Sequence, residues 1–304
     1  MKAFPLKISS KVQYAIDLGK PVLALESTVI THGLPYPQNI EFLADIEALA
    51  EQQGVVPATI CVLNGECLIG LEPADIEVLQ DKMQRKDELQ KLTLRDLGLA
   101  LAQKQSGGTT VSATMALAEK AGIRVFVTGG IGGVHRGWQE SRDVSLDLKA
   151  LATIPVIVVC AGCKAILDIG ATLEALETEG VPVYAWQTAE FPSFYSRESG
   201  HKVARIDSAQ DLAQAFKLMS GLGSLHSGML IACPIPATDE IPHSEIEPYI
   251  QLALKAANHL SGKAITPYLL DHLAKSTEGR SVSANLALLK NNLRLGALIA
   301  KEMT

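Results

Sequence analysis

The sequence has no excess of positive charge, few cysteines and no long hydrophobic run, and each absence argues against a class of protein. Its 304 residues include 27 Lys and Arg against 33 Asp and Glu, which gives a formal net charge of −6. An acidic chain without a basic stripe is a poor partner for nucleic acid polymers and for anionic membranes. A small phosphorylated ligand stays compatible with this charge, because a few local cations are enough to hold it.

Five cysteines, an odd number in a chain of this length, argue against a disulfide framework and favour a reduced, cytoplasmic setting. The strongest apolar run, residues 154–160, has the length of a strand and is far too short for a membrane span. The first residues lack the apolar core of a signal peptide, so no targeting segment is expected. The composition, 47% hydrophobic and 20% charged, is that of a globular protein with a buried core.

Short runs rich in Val, Ile and Leu alternate along the chain with stretches of helical spacing. The runs predict strands buried on both faces, at residues 22–25, 58–63, 125–128, 156–160, 181–185 and 229–232. The stretches between them predict helices at residues 39–53, 74–83, 111–121, 166–179 and 208–219. This alternation predicts an α/β fold, namely a three-layer α/β/α sandwich with a mostly parallel central sheet.

The last part of the chain has a different character. Residues 245–260, 267–276 and 282–301 predict three helices with no strand between them. We expect these extra C-terminal helices to pack on the sheet or on a partner subunit. Because neither a low-complexity linker nor a repeat interrupts the sequence, residues 1–304 are expected to form a single domain.

Two glycine-rich stretches are candidates for ligand contact. Residues 128–137 lack the third glycine of the dinucleotide fingerprint. They indicate either a bent crossing from strand to loop or flexible backbone beside the polar pair His135 and Arg136. Residues 107–111 place glycines and hydroxyls at a helix start, where Thr109 or Thr110 either caps the helix or belongs to an anion site.

Two ionisable residues follow predicted strands, where parallel α/β sheets bind their ligands. Lys164 follows strand 156–160 and a tight turn, and it precedes helix 166–179. A helix N-terminus disfavours a positive charge, so part of this amine is expected to be neutral and able to form a Schiff base. The alternative is a solvated surface lysine. Glu26 follows strand 22–25 and is either a general acid/base or a cap or ion-pair partner.

Two further pairs suggest chemistry. Asp143 and Asp147 are four residues apart, so a helix would place both carboxylates on one face, a setting that suits Mg²⁺ or Mn²⁺. The alternative is a capped helix start with two solvated acids. Cys160 and Cys163 form a C-x-x-C at a strand end, where a following helix would lower the pKa of the Cys163 thiol, as in a redox site. The alternative is two small apolar fillers around a turn.

These residues lie within longer stretches that occur in a fixed order along the chain. The stretches are ALEST at 24–28, THGLPYPQN at 31–39, VPATI at 56–60, GTTV at 108–111, residues 128–137, CAG at 160–162 with Lys164, FPSFYSR at 191–197, TPYLL at 266–270 and Asn285. In this order they resemble the pseudouridine-5′-phosphate glycosidases, also called the indigoidine synthase A-like family. The resemblance covers nearly the whole chain, and so many ordered matches make it specific.

The resemblance implies a lyase that reversibly cleaves pseudouridine 5′-phosphate to uracil and ribose 5-phosphate. The broken bond joins C5 of uracil to C1′ of ribose, and a carbon leaving group has no lone pair to protonate, unlike the oxygen of ordinary glycosides. Covalent catalysis splits this step into easier ones. The resemblance implies that Lys164 is the nucleophile, that it forms an imine with ring-opened ribose, and that Glu26 is the proton donor.

The resemblance also assigns binding roles. It implies substrate contacts for Lys91, Val111, Ser145, Leu146, Asp147 and Asn285, and Thr110 and His135 are added from the glycine-rich stretches. Asp143 matches the position that holds one Mn²⁺ per subunit, with Mg²⁺ as a substitute. A homotrimer is implied as well. The chain departs from the family pattern at Cys233, where Asn is frequent, and at Leu94, where a basic residue is frequent.

Two hypotheses from other functional classes stand beside the lyase. One is a thiol oxidoreductase that uses Cys160 and Cys163. The other is a non-catalytic sensor of phosphosugars or nucleotides on the same scaffold. Replacing both cysteines by serine separates the first alternative from the lyase, and binding without turnover would identify the second.

Overall fold

The computed structural model describes residues 4–34, 36–85, 89–223, 226–257 and 265–304. Pro35 of the THGLPYPQN stretch and residues 258–260 of the predicted helix 245–260 lie outside the described residues. The chain divides into two compact units, a first unit of Met1–Val127 with Gly296–Thr304 and a second unit of Thr128–Leu295.

The first unit is built on parallel strands with helices between them. Its strands are β1 (Leu6–Ile8), β2 (Val22–Glu26), β3 (Val56–Leu63), β4 (Glu66–Ile69), β5 (Gln90–Leu92), β6 (Gly107–Thr109) and β7 (Val125–Val127). They lie in the order β1-β4-β3-β2-β7, with β6 paired to β3 and β5 paired to β6. The β3–β4 and β3–β6 pairs are antiparallel and the others are parallel.

The helices of the first unit are α1 (Ser10–Asp17), α2 (Gln38–Gln52), α3 (Pro73–Gln84), α4 (Leu97–Ala102) and α5 (Val111–Lys120). Their starts follow local rules. Ser9 caps α1 by accepting the Val12 N–H. Glu72 and Asp75 form a capping box around Pro73 at the start of α3.

The second unit repeats the α/β pattern. Its strands are β8 (Val134–His135), β9 (Ile157–Cys160), β10 (Leu167–Asp168), β11 (Val183–Trp186), β12 (Ala204–Ile206) and β13 (Met229–Ala232). Strands β9, β13, β11 and β12 lie side by side in that order and are all parallel, whereas β8 and β10 form a separate antiparallel pair. The helices are α6 (Trp138–Ser141), α7 (Leu146–Thr153), α8 (Ile169–Thr178), α9 (Ala209–Gly221), α10 (His243–Ala256), α11 (Ile265–Ser276) and α12 (Arg280–Glu302), the last of which ends in the first unit.

The α/β class with mostly parallel strands and flanking helices is confirmed. The apolar runs chosen from the sequence form β2, β3, β7, β9, β11 and β13, and every residue of β2, β9 and β13 is buried, as continuous apolar strands require. The tail is helical in α10, α11 and α12. Within the described residues, no helix combines the length and apolar character that a membrane crossing needs.

Candidate active site

The first unit places Glu26 at a strand end, as predicted. Glu26 is the last residue of β2 and lies opposite Ile60 of the parallel strand β3. It is only 9% exposed, and Thr28 Oγ1 donates a hydrogen bond to its Oε2 at 2.5 Å. A largely buried carboxylate with a fixed hydroxyl partner has the defined position that proton transfer requires.

A network of buried hydroxyls joins the end of β2 to the start of α5. Ser27 Oγ donates to the Ile60 carbonyl at 2.6 Å and accepts the Thr109 N–H at 2.9 Å. Thr109 Oγ1 donates to the same carbonyl at 2.7 Å and accepts from Thr114 Oγ1 at 2.9 Å. Of these residues, the sequence indicated only Thr109, as a helix cap or as part of an anion site. The only signal for Ser27 was its place in a hydroxyl run after a strand.

Lys91 lies on β5, one strand away from the segment that opens α5. Strand β5 pairs with β6 so that Lys91 is opposite Gly108, and the carbonyl of the next residue, Leu92, accepts the Thr110 N–H at 2.9 Å. A Cβ at Gly108 would collide with Thr31 Oγ1, which explains the glycine at this close approach. The structure thus places Lys91 on the strand next to the segment that opens α5.

Helix α5 begins at Val111, as predicted, with Thr110 as its N-cap. The Thr110 side chain makes no capping hydrogen bond, and its Oγ1 lies 3.2 Å from Ser112 Oγ. Thr110 is 8% exposed and Val111 only 1%. A ligand here would therefore meet mainly backbone N–H groups at the positive end of the helix dipole.

His32 lies in the same unit as Lys91, and it was not among the site residues predicted from the sequence. It lies in the one-turn π-helix Val29–Gly33, and its Nδ1 shares a hydrogen bond with Thr31 Oγ1 at 2.7 Å. Burial and the positive charge of Lys91 lower the pKa of His32, against the opposing effect of a hydrogen bond to the Leu89 backbone. Both effects favour the neutral form of the imidazole.

In the second unit, the expectation that Lys164 opens a helix is wrong. Helix α8 begins only at Ile169, with Asp168 as its N-cap. Lys164 lies instead on a loop, where its N–H donates to the Ile131 carbonyl at 3.0 Å and its own carbonyl accepts the Leu167 N–H at 3.0 Å. The intervening residues turn and form β10, which pairs with β8. Lys164 is half-buried, so it is not a fully solvated surface lysine either.

The shared helix face predicted for Asp143 and Asp147 is also wrong. Asp143 precedes α7, because Ser145 caps that helix by accepting the Asp147 N–H at 3.2 Å. Asp143 approaches His135 instead: its Oδ2 is 3.8 Å from His135 Nδ1, and its carbonyl accepts the His135 N–H at 3.1 Å. Two of the predicted site residues are thus neighbours, in a way that their separation in sequence did not suggest.

Asp147 is buried and holds the glycine-rich stretch in place. It is 5% exposed, and its Oδ2 accepts the Gly132 N–H at 2.9 Å. A Cβ at Gly132 would lie 2.7 Å from Ser145 Cβ and 2.8 Å from Asp147 Oδ2, so only glycine fits here. Ser145 and half-buried Leu146, the first residue of α7, flank this contact. The alternative of two solvated acids is therefore wrong for Asp147.

Helix α12 contacts the beginning of the same glycine-rich stretch. Asn285 is half-buried, and its Oδ1 would lie 3.3 Å from a Cβ at Gly129. Asn292, two turns further along, is fully buried and donates from Nδ2 to the Thr128 carbonyl at 2.9 Å. The sequence analysis missed Asn292, whose place on the helix face of Asn285 could have indicated it.

The thiols do not have the properties of a redox site. All five cysteines are buried, and none of them is in a disulfide. Burial raises the pKa of Cys160 and of Cys163 to about 12 each. The lowered pKa expected for Cys163 is therefore wrong, because no helix begins beside it and water does not reach its sulfur. The two side chains are small apolar fillers, as the alternative held.

The donor set for a metal is small. Among the residues that the structure describes, no three His, Cys, Asp or Glu side chains converge as a metal site would require. Asp143 offers one half-exposed carboxylate with the His135 ring beside it. One carboxylate is compatible with a hard divalent cation that keeps most of its water ligands, and not with a closed structural site.

Comparison with known proteins identifies relatives that match the chain over nearly its whole length. The family model of the indigoidine synthase A like protein matches residues 11–302. A pseudouridine-5′-phosphate glycosidase of Geobacillus kaustophilus is 47% identical over 302 residues, which are 98% of this chain and 99% of that protein. An indigoidine synthase A-like protein from Thermotoga maritima superimposes with a TM-score of 0.89 at 35% identity, covering 99% of this chain and 97% of that one. The prealnumycin C-glycosynthase AlnA, solved with ribulose 5-phosphate, has a TM-score of 0.88 at 34% identity, covering 98% and 96%.

Proposed function

Because this chain belongs to the indigoidine synthase A-like family of enzymes, we propose that it reversibly cleaves pseudouridine 5′-phosphate to uracil and ribose 5-phosphate. The observation that carries the proposal is the 47% identity to a named pseudouridine-5′-phosphate glycosidase along 98% of the chain. The complex of AlnA with ribulose 5-phosphate supports a sugar phosphate as the ligand.

The proposed mechanism is covalent and starts at Lys164. The Lys164 amine, after losing a proton, attacks C1′, the C1′–O4′ bond breaks, and O4′ takes a proton as the sugar ring opens. The nitrogen lone pair then expels the base: the C1′–C5 bond breaks, C5 of uracil takes a proton, and an imine remains between Lys164 and C1′. Water adds to the imine and releases ribose 5-phosphate with the free amine.

Glu26 is proposed to move the protons. Its strand-end position and its bond from Thr28 Oγ1 favour a fixed acid/base group. The acid form would protonate the leaving carbon, and the carboxylate would take a proton from the attacking ammonium or from water. Both steps return Glu26 to its starting state over one turnover.

The 5′-phosphate is proposed to bind at Lys91 and the N-terminus of α5. A cation on β5 beside the Val111 N–H at the first turn of α5 is the combination that supports this proposal, since helix N-termini and cations both attract phosphate. In the second unit, His135, Ser145, Leu146, Asp147 and Asn285 are proposed substrate-binding residues. Asp147 also accepts the Gly132 N–H, and the Ser145 N–H donates to the Gly133 carbonyl at 3.0 Å, so both hold the glycine-rich stretch.

Asp143 is proposed to hold one Mn²⁺ per subunit, with Mg²⁺ as a substitute. When bound, the cation would supply a positive charge and ordered water ligands. EDTA should abolish activity and added Mn²⁺ should restore it, and Asp143→Ala should lose the Mn²⁺ signal in electron paramagnetic resonance titrations. Normal Mn²⁺ binding by that variant would exclude Asp143 as the ligand.

We also propose that the protein is a homotrimer. Light scattering tests this by comparing the mass in solution with the 32.4 kDa of one chain.

The first experiment is to mix the protein with pseudouridine 5′-phosphate and Mn²⁺ and to measure uracil. The double variant Cys160→Ser, Cys163→Ser is the control for a thiol mechanism and should retain most of the activity, since both thiols are buried. Tight binding of ribose 5-phosphate, with no uracil released from pseudouridine 5′-phosphate and no pseudouridine 5′-phosphate formed from uracil and ribose 5-phosphate, would favour a sensor and contradict the proposal.

A further inference from the structure

Arg136 carries a set of hydrogen bonds that the proposed mechanism does not use. Its guanidinium makes a bidentate ion pair with Glu247, from Nη1 to Oε1 at 2.6 Å and from Nη2 to Oε2 at 3.1 Å. It also donates to two backbone carbonyls, from Nη2 to Ala165 at 3.1 Å and from Nε to Leu167 at 3.4 Å. Both carbonyls belong to the three residues that follow Lys164.

The segment around Lys164 is thereby held from both sides. Before the turn, the Lys164 N–H is bonded to the Ile131 carbonyl. After the turn, Leu167 pairs with His135 in the β8–β10 ladder. That ladder is only two residues long on each side, so backbone pairing alone holds the loop weakly. Arg136 supplies side-chain bonds to the part of the turn between these two points.

The other half of the ion pair comes from α10. Glu247 also accepts from Gln251 Nε2 at 2.6 Å. Partial burial works against ionisation of Glu247, but the hydrogen bonds from Arg136 and Gln251 outweigh it and lower the pKa of the carboxyl. A charged carboxylate matches the planar fork of a guanidinium in a way that lysine cannot reproduce. The pair thus fixes the orientation of the guanidinium that bonds the turn.

We propose that Arg136 and Glu247 form a positioning pair that holds the Ala165–Leu167 turn and so presents the Lys164 amine to C1′. This inference rests on the proposed function, in which Lys164 is the nucleophile. Neither residue reacts in this account. Their effect is on the rate of attack, because a displacement of about 1 Å of a reacting group costs roughly 100-fold in rate.

The test is the rate at which borohydride-trappable ribose 5-phosphate adduct forms on Lys164, together with kcat and KM. Arg136→Ala should lower the adduct rate and kcat by about 10- to 100-fold and change KM by less than about threefold. Arg136→Lys should recover only part of the loss, because an ammonium cannot bond two carbonyls and two carboxylate oxygens at once. Glu247→Gln keeps the shape of the side chain and should give a smaller loss of kcat in the same direction.

The matched control is Arg205→Ala. Arg205 also makes a bidentate ion pair in the same unit, with Asp207. Both residues are exposed, and this pair does not include any residue of the Lys164 segment. Its adduct rate should equal that of the wild type. If Arg136→Ala fails to fold, Glu247→Gln carries the test, with circular dichroism as the check on folding.

The outcomes separate the two proposals. A wild-type enzyme that releases uracil but never forms an adduct on Lys164 overturns the proposed mechanism, and the positioning role with it. A wild type that forms the adduct, beside a folded Arg136→Ala that forms it equally fast or differs only in KM, overturns the positioning role alone.

Discussion

The site residues of the two units are held in place by different means. In the first unit, Glu26 and Lys91 lie on strands, and Thr110 follows one directly, so backbone pairing fixes them. In the second unit, Lys164 and Asp143 lie on loops beside a two-residue ladder, and side chains bonded to the backbone hold those loops. The segment around Lys164 thus depends on side-chain bonds, whereas backbone pairing along β2 fixes the position of Glu26.

The largest effect is expected in the second unit, from Lys164→Ala. Without the amine no imine forms, and turnover should fall by at least about 1000-fold, as losses of covalent nucleophiles do. Uracil release and adduct formation are the measurements. The control is Lys149→Ala, which removes an exposed lysine paired with Glu179 in the same unit and should leave both rates unchanged. Substantial uracil release by Lys164→Ala would remove the nucleophile from the account.

The corresponding change in the first unit is Glu26→Gln. The amide keeps the shape of the side chain and loses the proton, so kcat should fall by roughly 100- to 10,000-fold. Because β2 fixes Glu26 by backbone pairing, thermal unfolding should change little. A kcat that stays near the wild-type value, with the Lys164 adduct still formed, would show that another group moves the protons.

Lys91→Ala should act on binding and not on chemistry. Loss of the cation should raise KM for pseudouridine 5′-phosphate by about 10- to 100-fold, since a charge-assisted bond contributes about 1.5–3 kcal/mol. Unphosphorylated pseudouridine is the built-in control: it should be a poor substrate for the wild type, and the variant should use it no worse. An equal loss for both substrates would place Lys91 away from the phosphate.

The smallest effect concerns His32 and pH. Because its pKa is lowered in the native state from an ordinary value of 6.5, the unfolded chain binds more protons below that pH, and the free energy of unfolding falls as pH decreases from 6.5 towards the native pKa. Urea unfolding at pH 7.5 and 5.5 should therefore show a smaller loss of stability for His32→Gln than for the wild type. Equal losses would mean that His32 titrates alike in both states.

The difference between the units also explains what the sequence could predict. Apolar strands such as β2, β3 and β9 can be recognised from their local runs of Val, Ile and Leu. The position of Glu26 at the end of such a run can be recognised in the same way. Strand β6 is not, because glycines dominate it and it forms only by pairing with β3 and β5. Lys91 and Val111 were therefore related to each other only through the family resemblance, and not through the strands that join them.

The errors lie where tertiary pairing overrides local pattern. Leu167 and Asp168 continue a helical spacing, yet they pair with β8, and the helix that was expected to begin near Lys164 starts later. Asp143 and Asp147 have helical spacing too, but Ser145 caps α7 between them. In both places a two-residue bridge or a single cap decides the outcome, and neither leaves a periodic signal.

The imine between Lys164 and ribose 5-phosphate can be trapped by reduction with borohydride. The wild-type enzyme is incubated with ribose 5-phosphate, alone and with uracil, reduced with borohydride and digested for peptide mass mapping. The account predicts a stable secondary amine on Lys164 and inactivation that requires both sugar phosphate and reductant. An enzyme that turns over but is never inactivated, or a trapped sugar on another lysine, would contradict it.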